Sequence, residues 1–314
     1  MHMKRTLGFW DVFCLSAGAM ISSGLFVLPG QAFAECGPAI TIAYALAALG
    51  MVPALLAKAE LTTAMPKSGG TYFFIERSMG SLAGTLAGLS GWLGLALKSA
   101  FAMVGIGAFV RLVLPGLELS ESQWIWIIKL VATGCTAGFA VLNCMGAHHA
   151  GKFQRVLVIG LLAILAWFVV AGAPAVKQHP NFDNLFDSGF GSILATAGLV
   201  FVSFGGLTKA CAVAEEVRHP DRNIPRAMLL AFFVVSLLYI ACTIILVGTV
   251  EPGAIADKST GYVNLTPLST AAGNFGGQIP MMLISAAAIL AFVTTGNGGI
   301  LAAARTPLAM ARDG

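Results

Sequence analysis

Residues 9–34 read FWDVFCLSAGAMISSGLFVLPGQAFA, an apolar run interrupted at its centre by Gly18-Ala19-Met20-Ile21-Ser22-Ser23-Gly24. The run is long enough to cross the ~30 Å of hydrocarbon in a bilayer, which takes roughly 20 helical residues. Its centre is a poor helix. Each glycine costs a helix interior about 1 kcal/mol relative to alanine, and serine offers the backbone competing hydrogen bonds. Backbone that leaves the helix at membrane depth is tolerated only where protein buries it or where it lines a cavity. The sixth apolar run repeats the pattern, with Ser203-Phe204-Gly205-Gly206 at mid-depth. A half-helix that starts at such a break offers amide N–H groups to an anion, and one that ends there offers carbonyls to a cation. That combination suits a zwitterion. Small-residue helix packing accounts equally well for either cluster alone. The matched pair, five helices apart, fits two five-helix repeats of inverted topology.

Around these two runs the chain consists of apolar blocks and short polar joints. The stretches of spanning length are 9–34, 39–57, 82–114, 124–144, 156–175, 193–217, 227–250 and 279–304. With 57% hydrophobic and 10% charged residues, the 314-residue chain falls far below the roughly 25% charge of a soluble domain. A single all-α polytopic membrane domain over residues 1–314 follows. The net charge of +4 is spread between the blocks rather than gathered on one face, which argues against nucleic acid as a partner. Cys14, Cys135, Cys144, Cys211 and Cys242 lie within or at the ends of apolar stretches and read as small buried hydrophobes. His148 and His149 are adjacent, which alone does not make a metal site. No metal or cofactor is expected. Lys4-Arg5 and the A-x-A triplet Ala32-Phe33-Ala34 imitate a signal peptide, but the run between them is too long and holds Asp11, so the first helix is expected to stay.

Lysine and arginine mark the cytoplasmic side of a membrane protein. With the N-terminus inside, Lys4, Arg5, Lys58, Lys67, Arg77, Lys152, Arg155, Arg218, Arg222, Arg226, Arg305 and Arg312 are cytoplasmic, and only Arg111, Lys177 and Lys258 are outside. The expected location is the plasma (inner) membrane, with both termini in the cytoplasm. The linkers 60–80 and 215–226 are cytoplasmic in this topology. The outer segment 266–275 is too short to span and reads as a small surface helix.

Four motifs in order carry a resemblance. Gly18 through Phe26 resembles the first-helix motif of the amino acid-polyamine-organocation (APC) permeases. Ala59-Glu60-Leu61 through Pro66, Gly69-Gly70-Thr71-Tyr72 and Arg77 is similar to that family's first cytoplasmic loop. Phe204-Gly205-Gly206, Ala214-Glu215-Glu216-Val217, Pro220 and Asn223-Ile224-Pro225-Arg226-Ala227 resemble its sixth helix and following loop. Ala304-Arg305 with Ala309-Met310-Ala311-Arg312-Asp313-Gly314 resembles the loop after helix eight. The resemblance implies the five-plus-five inverted-repeat fold with discontinuous helices one and six, alternating access, and amino acids or related amines as substrates. The family norm of about twelve helices implies that this chain is an N-terminal eight-helix portion, truncated after helix eight.

Carried over by motif position, the backbone around Met20, Ile21, Ser22, Ser23 and Gly24 would hold a substrate carboxylate. Carbonyls of Ser203, Gly205 and Gly206 would face the ammonium end, with Phe204 as an aromatic lid or wall. Lys98, Lys129 and Lys209 lie inside apolar stretches, where an ionisable group is by default a functional hypothesis. Lys129 is near a helix end and able to snorkel. A lysine held in hydrocarbon is able to give up its proton near neutral pH, so Lys98 and Lys209 are candidates for proton coupling. Thr294 and Thr295 would place hydroxyls beside helix one, as in sodium-coupled members of the fold, although membrane threonines commonly bond their own backbone. In some family members a lysine on helix five replaces the cation, and stretch 156–175 has none. Glu215, Glu216, Arg218, Asp221 and Arg222 read either as an ion-pair gate or as a solvated loop face.

No Ser/His/Asp, Cys/His or HExxH constellation and no paired intramembrane carboxylates are present, so chemistry on the substrate is not expected. The sequence points to secondary active transport of an amino acid across the bilayer, with protons as a possible partner. The alternative is a membrane sensor that binds the same ligand without net flux.

Overall fold

A computed structural model describes residues 5–113, 120–145, 147–178, 185–257 and 260–313. Lys4, Lys258 and Gly314 lie outside the described residues, as do the side chains of Arg111, His148, His149 and Lys177. The helices are α1 (Phe9–Met20), α2 (Ser23–Phe26), α3 (Leu28–Cys36), α4 (Ile40–Ala64), α5 (Thr71–Met79), α6 (Ser81–Val113), α7 (Glu121–Cys144) and α8 (Ala147–Gly172). They continue with α9 (Gly189–Phe201), a 3₁₀ segment Val202–Leu207, α10 (Thr208–Ala212), a second 3₁₀ segment Ala214–Glu216 and α11 (Pro220–Thr249). The segment between α11 and α14 holds α12 (Pro252–Ile255), the short antiparallel strands β1 (Ala256–Asp257) and β2 (Tyr262–Val263), and α13 (Pro267–Gly276). Finally come α14 (Gln278–Ala303) and α15 (Arg305–Asp313).

Among the described residues, 7 helical stretches are long and apolar enough to cross a membrane. The first expected crossing is not one of them as a single helix, because the chain divides into α1, α2 and α3 at the glycine and serine positions. Pro29 then restarts the helix, occupying an early α3 position where its missing N–H removes no bond. Gly37, with φ at 59°, turns the chain into α4, a conformation that a Cβ would strain.

The short α1 sits in the middle of the bundle, packed by α8, α11, α14 and the 3₁₀ segment Val202–Leu207. Every residue from Asp11 to Met20 is buried. Conversely, Leu82, Leu86 and Leu93 on α6 and Trp126, Leu130 and Val141 on α7 are exposed. In water that outer surface would be a large aggregation-prone patch; in lipid it is ordinary. The bundle is an integral membrane protein, helical almost throughout.

Segment 266–275, expected as a small helix, is helical as α13, with Leu268, Ser269, Ala271 and Ala272 buried against the bundle. Asn264 organises the loop before it, donating to Ala254 O at 3.1 Å and Thr270 Oγ1 at 2.9 Å while accepting from Thr266 N at 2.8 Å. The Asn264 carbonyl lies directly on Gly30 of α3, where any Cβ would collide with it.

Candidate functional site

The α1 helix keeps its bonding as far as Ile21, whose N–H reaches Ala17 O at 2.9 Å. Ile21 (ψ 96°) and Ser22 (φ −154°, ψ −130°) are then non-helical, and α2 begins at Ser23. The Ser22 carbonyl accepts the N–H groups of Leu25 and Phe26, both at 3.1 Å. Two carbonyls flanking the break are taken by tyrosines from other helices. Tyr239 of α11 donates to Met20 O at 2.7 Å, and Tyr44 of α4 donates to Gly24 O at 2.6 Å. Their rings meet edge to face at 5.5 Å. What the break presents is therefore the amide side of the first turn of α2, where leading N–H groups have no intrahelical acceptor.

Neither tyrosine was a candidate from sequence, since each stands in an unremarkable apolar helix: Tyr44 in ITIAYALAAL and Tyr239 in VSLLYIACT. The available signal was general: a phenol buried in hydrocarbon must find an acceptor, and broken helices supply them. Tyr239→Phe leaves the Met20 carbonyl short of a partner at a cost of about 1–3 kcal/mol. The expected result is normal membrane insertion with a thermal unfolding midpoint in detergent lower by several degrees, on the order of 2–8 °C.

Against the break lies the 3₁₀ segment Val202–Leu207. The α-helix is interrupted at Ser203-Phe204-Gly205-Gly206 as expected, but by a tightening from α to 3₁₀ that returns to α at Thr208 rather than by an open gap. Paired glycines weaken the α geometry, and a 3₁₀ turn keeps backbone bonds internal where no water replaces them. Gly206 lies flush on α1: a Cβ there would overlap the Ala19 carbonyl and come against Met20 N. A Cβ at Gly24 would strike the Ser203 side chain, whereas Gly205 faces open space. Phe204 is fully buried, 5.3 Å from the Tyr239 ring and 5.7 Å from that of Phe232, so in this conformation it is a wall.

The two interrupted helices are thus in direct contact. Met20, Ile21, Ser22, Ser203 and Phe204 are all buried, while Ser23 and Gly205 are partly exposed. Cavities of ≈ 720 and ≈ 640 Å³ lie elsewhere, the first where the C-terminal ends of α8 and α11 meet α13, the second beside Tyr72, Glu76 and Trp92. At the break the side chains close over one another.

One turn toward the N-terminal end of α1 a second junction forms. Thr295 and Thr294 of α14 both direct hydroxyls to Gly18 O, at 3.0 and 3.4 Å, and Thr294 also bonds Ala291 O at 2.9 Å. Lys209 of α10 is completely buried, and its ammonium donates to Thr295 O at 2.9 Å. Lys98 lies on α6, which packs along α14. Three of the four coupling candidates therefore meet at one α1–α10–α14 contact. Among the described residues no carboxylate pairs with Lys209. A chain of amides supports this junction from behind: Asn143 donates to Asn297, Asn297 to Gln154, and Gln154 to Thr294 O, at 3.0, 3.1 and 3.1 Å. None of the three amides was singled out in the sequence.

The loop carboxylates are also resolved. Glu215 and Glu216 are buried and paired, whereas Asp221 and Arg222 form an exposed contact at 3.8 Å and Arg218 reaches the Arg5 carbonyl at 3.3 Å. The solvated-face reading holds for Asp221 and Arg222 and fails for the two glutamates.

Comparison with known proteins decides the family. A family model described as amino acid permease matches residues 7–314, nearly the whole chain. The chain belongs to the amino acid permease family. It is a membrane transport protein of the APC superfamily and not an enzyme. Its relatives include the branched-chain amino acid permease BcaP of Bacillus subtilis, 27% identical over 99% of this chain and 68% of the relative. BcaP of Lactococcus lactis is 26% identical over 100% of this chain and 70% of its own length. The methylthioribose transporter of Bacillus subtilis is 28% identical over 99% of this chain and 68% of its own. Gly18 through Phe26 spans the α1–α2 break, and the three other motif regions meet at Glu215 and Glu216, which bond to Ser68, Arg312 and Arg305.

Proposed function

We propose that this permease carries an amino acid across the plasma membrane by alternating access, with its N-terminus in the cytoplasm. The observation that carries this reading is the contact between the two interrupted helices, Gly206 against Ala19 and Met20, in the middle of the bundle. The substrate carboxylate lies against the amides of Ser22, Ser23 and Gly24, and its ammonium against carbonyls of the Val202–Leu207 segment. Ile21, Phe204, Tyr44 and Tyr239 bound this space with apolar surface. That lining, together with two branched-chain permeases among the relatives, favours an amino acid with an apolar side chain. The buried position of Met20 and Ser22 corresponds to a closed phase of the cycle, from which a substrate-sized space opens when α1 and the α9–α10 helix separate.

We assign coupling to the Lys209, Thr294 and Thr295 junction. In this reading Lys209 supplies an internal positive charge where α1, α10 and α14 meet, and its proton is the coupled ion. The test is uptake of a set of radiolabelled amino acids, leucine, isoleucine and valine among them, into proteoliposomes with and without an inward proton gradient. Accumulation above equilibrium only with the gradient is the expected result. Saturable binding without flux under any gradient would instead identify a membrane sensor.

A further inference from the structure

The 3₁₀ segment Ala214–Glu216 ends in two adjacent carboxylates, Glu215 and Glu216, that are both buried. Carboxylates taken out of water persist only when paired and hydrogen-bonded. Each is held by an arginine of α15: Arg305 Nε donates to Glu216 at 2.6 Å and Arg312 Nη1 to Glu215 at 3.0 Å. Ser68 adds a bond to the same Glu215 oxygen at 2.7 Å, and Tyr72 of α5 donates to Asp313 at 3.2 Å. The backbone is stitched to the same place. Thr6 and Leu7 donate to Glu216 O at 2.9 and 3.0 Å, and Arg218 N donates to Leu7 O at 2.8 Å. Gly69 and Gly70, with φ of 100° and 53°, let the preceding linker lie flat, the first against Ala309 of α15 and the second on the backbone of Cys211 and Ala212.

These contacts join α15 to the chain leading into α1 and to the chain leaving α10, the two elements that carry the α1–α2 break and the 3₁₀ segment. The thiol of Cys211, in α10 just before the 3₁₀ segment Ala214–Glu216, is buried. Yet the arginine side chains retain 19% and 34% exposure, so the pairs sit at the water boundary. An ion pair there is exchangeable for hydration at modest cost, whereas apolar packing is not.

We propose that α15 is a bolt: Arg305 and Arg312 hold the carboxylates behind α10 and thereby keep the cytoplasmic side of the substrate site shut, and the cycle opens that side by releasing them. The cytoplasmic placement rests on the orientation in the proposed function. Cys211 is a built-in reporter. In a variant that keeps only this one of the 6 cysteines, with the others changed to alanine, a membrane-impermeant maleimide is applied to inside-out vesicles. Slow labelling is expected with the bolt intact. Arg305→Ala and Arg312→Ala should each label about ten-fold faster or more, the response to losing on the order of 1.4 kcal/mol of closure. Exchanging the charges of one pair, Glu216→Arg with Arg305→Glu, should restore slow labelling.

Unchanged labelling in both arginine variants, with normal membrane insertion, would overturn the bolt, as would fast labelling that the exchanged pair fails to slow. Faster labelling only in right-side-out vesicles would overturn its cytoplasmic placement. The assay needs no flux, so a chain whose Cys211 responds as expected but which carries no substrate supports the bolt while removing the transport reading.

Discussion

Gly206→Ala is expected to reduce transport by roughly 100-fold or more while the protein still inserts, because the added methyl has nowhere to go. An ideal Cβ at this position overlaps the carbonyl carbon and oxygen of Ala19 and comes against Met20 N. Those are backbone atoms at the end of α1, already fixed by Ile21 N–H···Ala17 O and by the Tyr239 hydroxyl on Met20 O. A flexible side chain would swing aside. Here the α9–α10 helix must instead move away from α1 as a unit, and overpacking of this kind costs about 1–3 kcal/mol even where some relaxation is possible. The displacement falls on the surface where the substrate is proposed to sit, so flux suffers more than folding. Two neighbouring glycines serve as controls. Gly24→Ala meets the Ser203 side chain, its Cβ included, and the Tyr239 hydroxyl rather than backbone of α1, and should lose less activity; Gly205→Ala enters open space and should transport nearly as well as the parent. Uptake rates normalised to the inserted amount test the order Gly206, Gly24, Gly205, and equal loss at Gly206 and Gly205 would rule out close backbone approach as the reason for the glycine pair.

The same pair shows how far the sequence could be read. That 18–24 and 203–206 are weak helix was legible from glycine and serine propensity, and that the chain crosses a membrane was legible from its apolar blocks. The form of each interruption was not. At Ile21–Ser22 the chain becomes extended because two tyrosines 20 and 219 residues away in sequence take carbonyls beside it, a satisfaction that no local pattern encodes. At Val202–Leu207 the helix only tightens, because α1 is pressed against Gly206 and leaves no room for an open loop. Glu215 and Glu216 failed as loop residues for a similar reason. Their arginine partners stand 97 and 89 residues later, on α15, and only the fold brings them together. The lysines were more legible, since charge in hydrocarbon is conspicuous wherever it occurs. What sequence could not say is that Lys209 donates to the backbone of the helix carrying Thr294 and Thr295.

That contact makes Lys209→Met the most informative substitution for coupling. Methionine fills much of the same buried space without charge, so packing is largely kept and the junction loses its cation. In the parent, Lys209 ties α10 to Thr295 O while the Thr295 hydroxyl ties the same turn of α14 to Gly18 O of α1. Charge at this point thus bears on all three elements at once, and a change in that charge shifts their arrangement only by as much as the two arrangements differ in their interaction with it. Removing the cation should leave the protein able to exchange internal for external substrate, because the α1–α2 break and the Val202–Leu207 segment are untouched. It should abolish the link between the proton gradient and net movement. The expected outcome in proteoliposomes is counterflow within about 3-fold of the parent, and gradient-driven accumulation falling on the order of 100-fold, to the equilibrium level. Lys98→Met should act more weakly, since among the described residues the bond to Thr295 O comes from Lys209. Accumulation by the Lys209 variant at the parental level would remove the coupling role. Loss of counterflow as well would show that the lysine holds the three helices together rather than carrying the coupled charge.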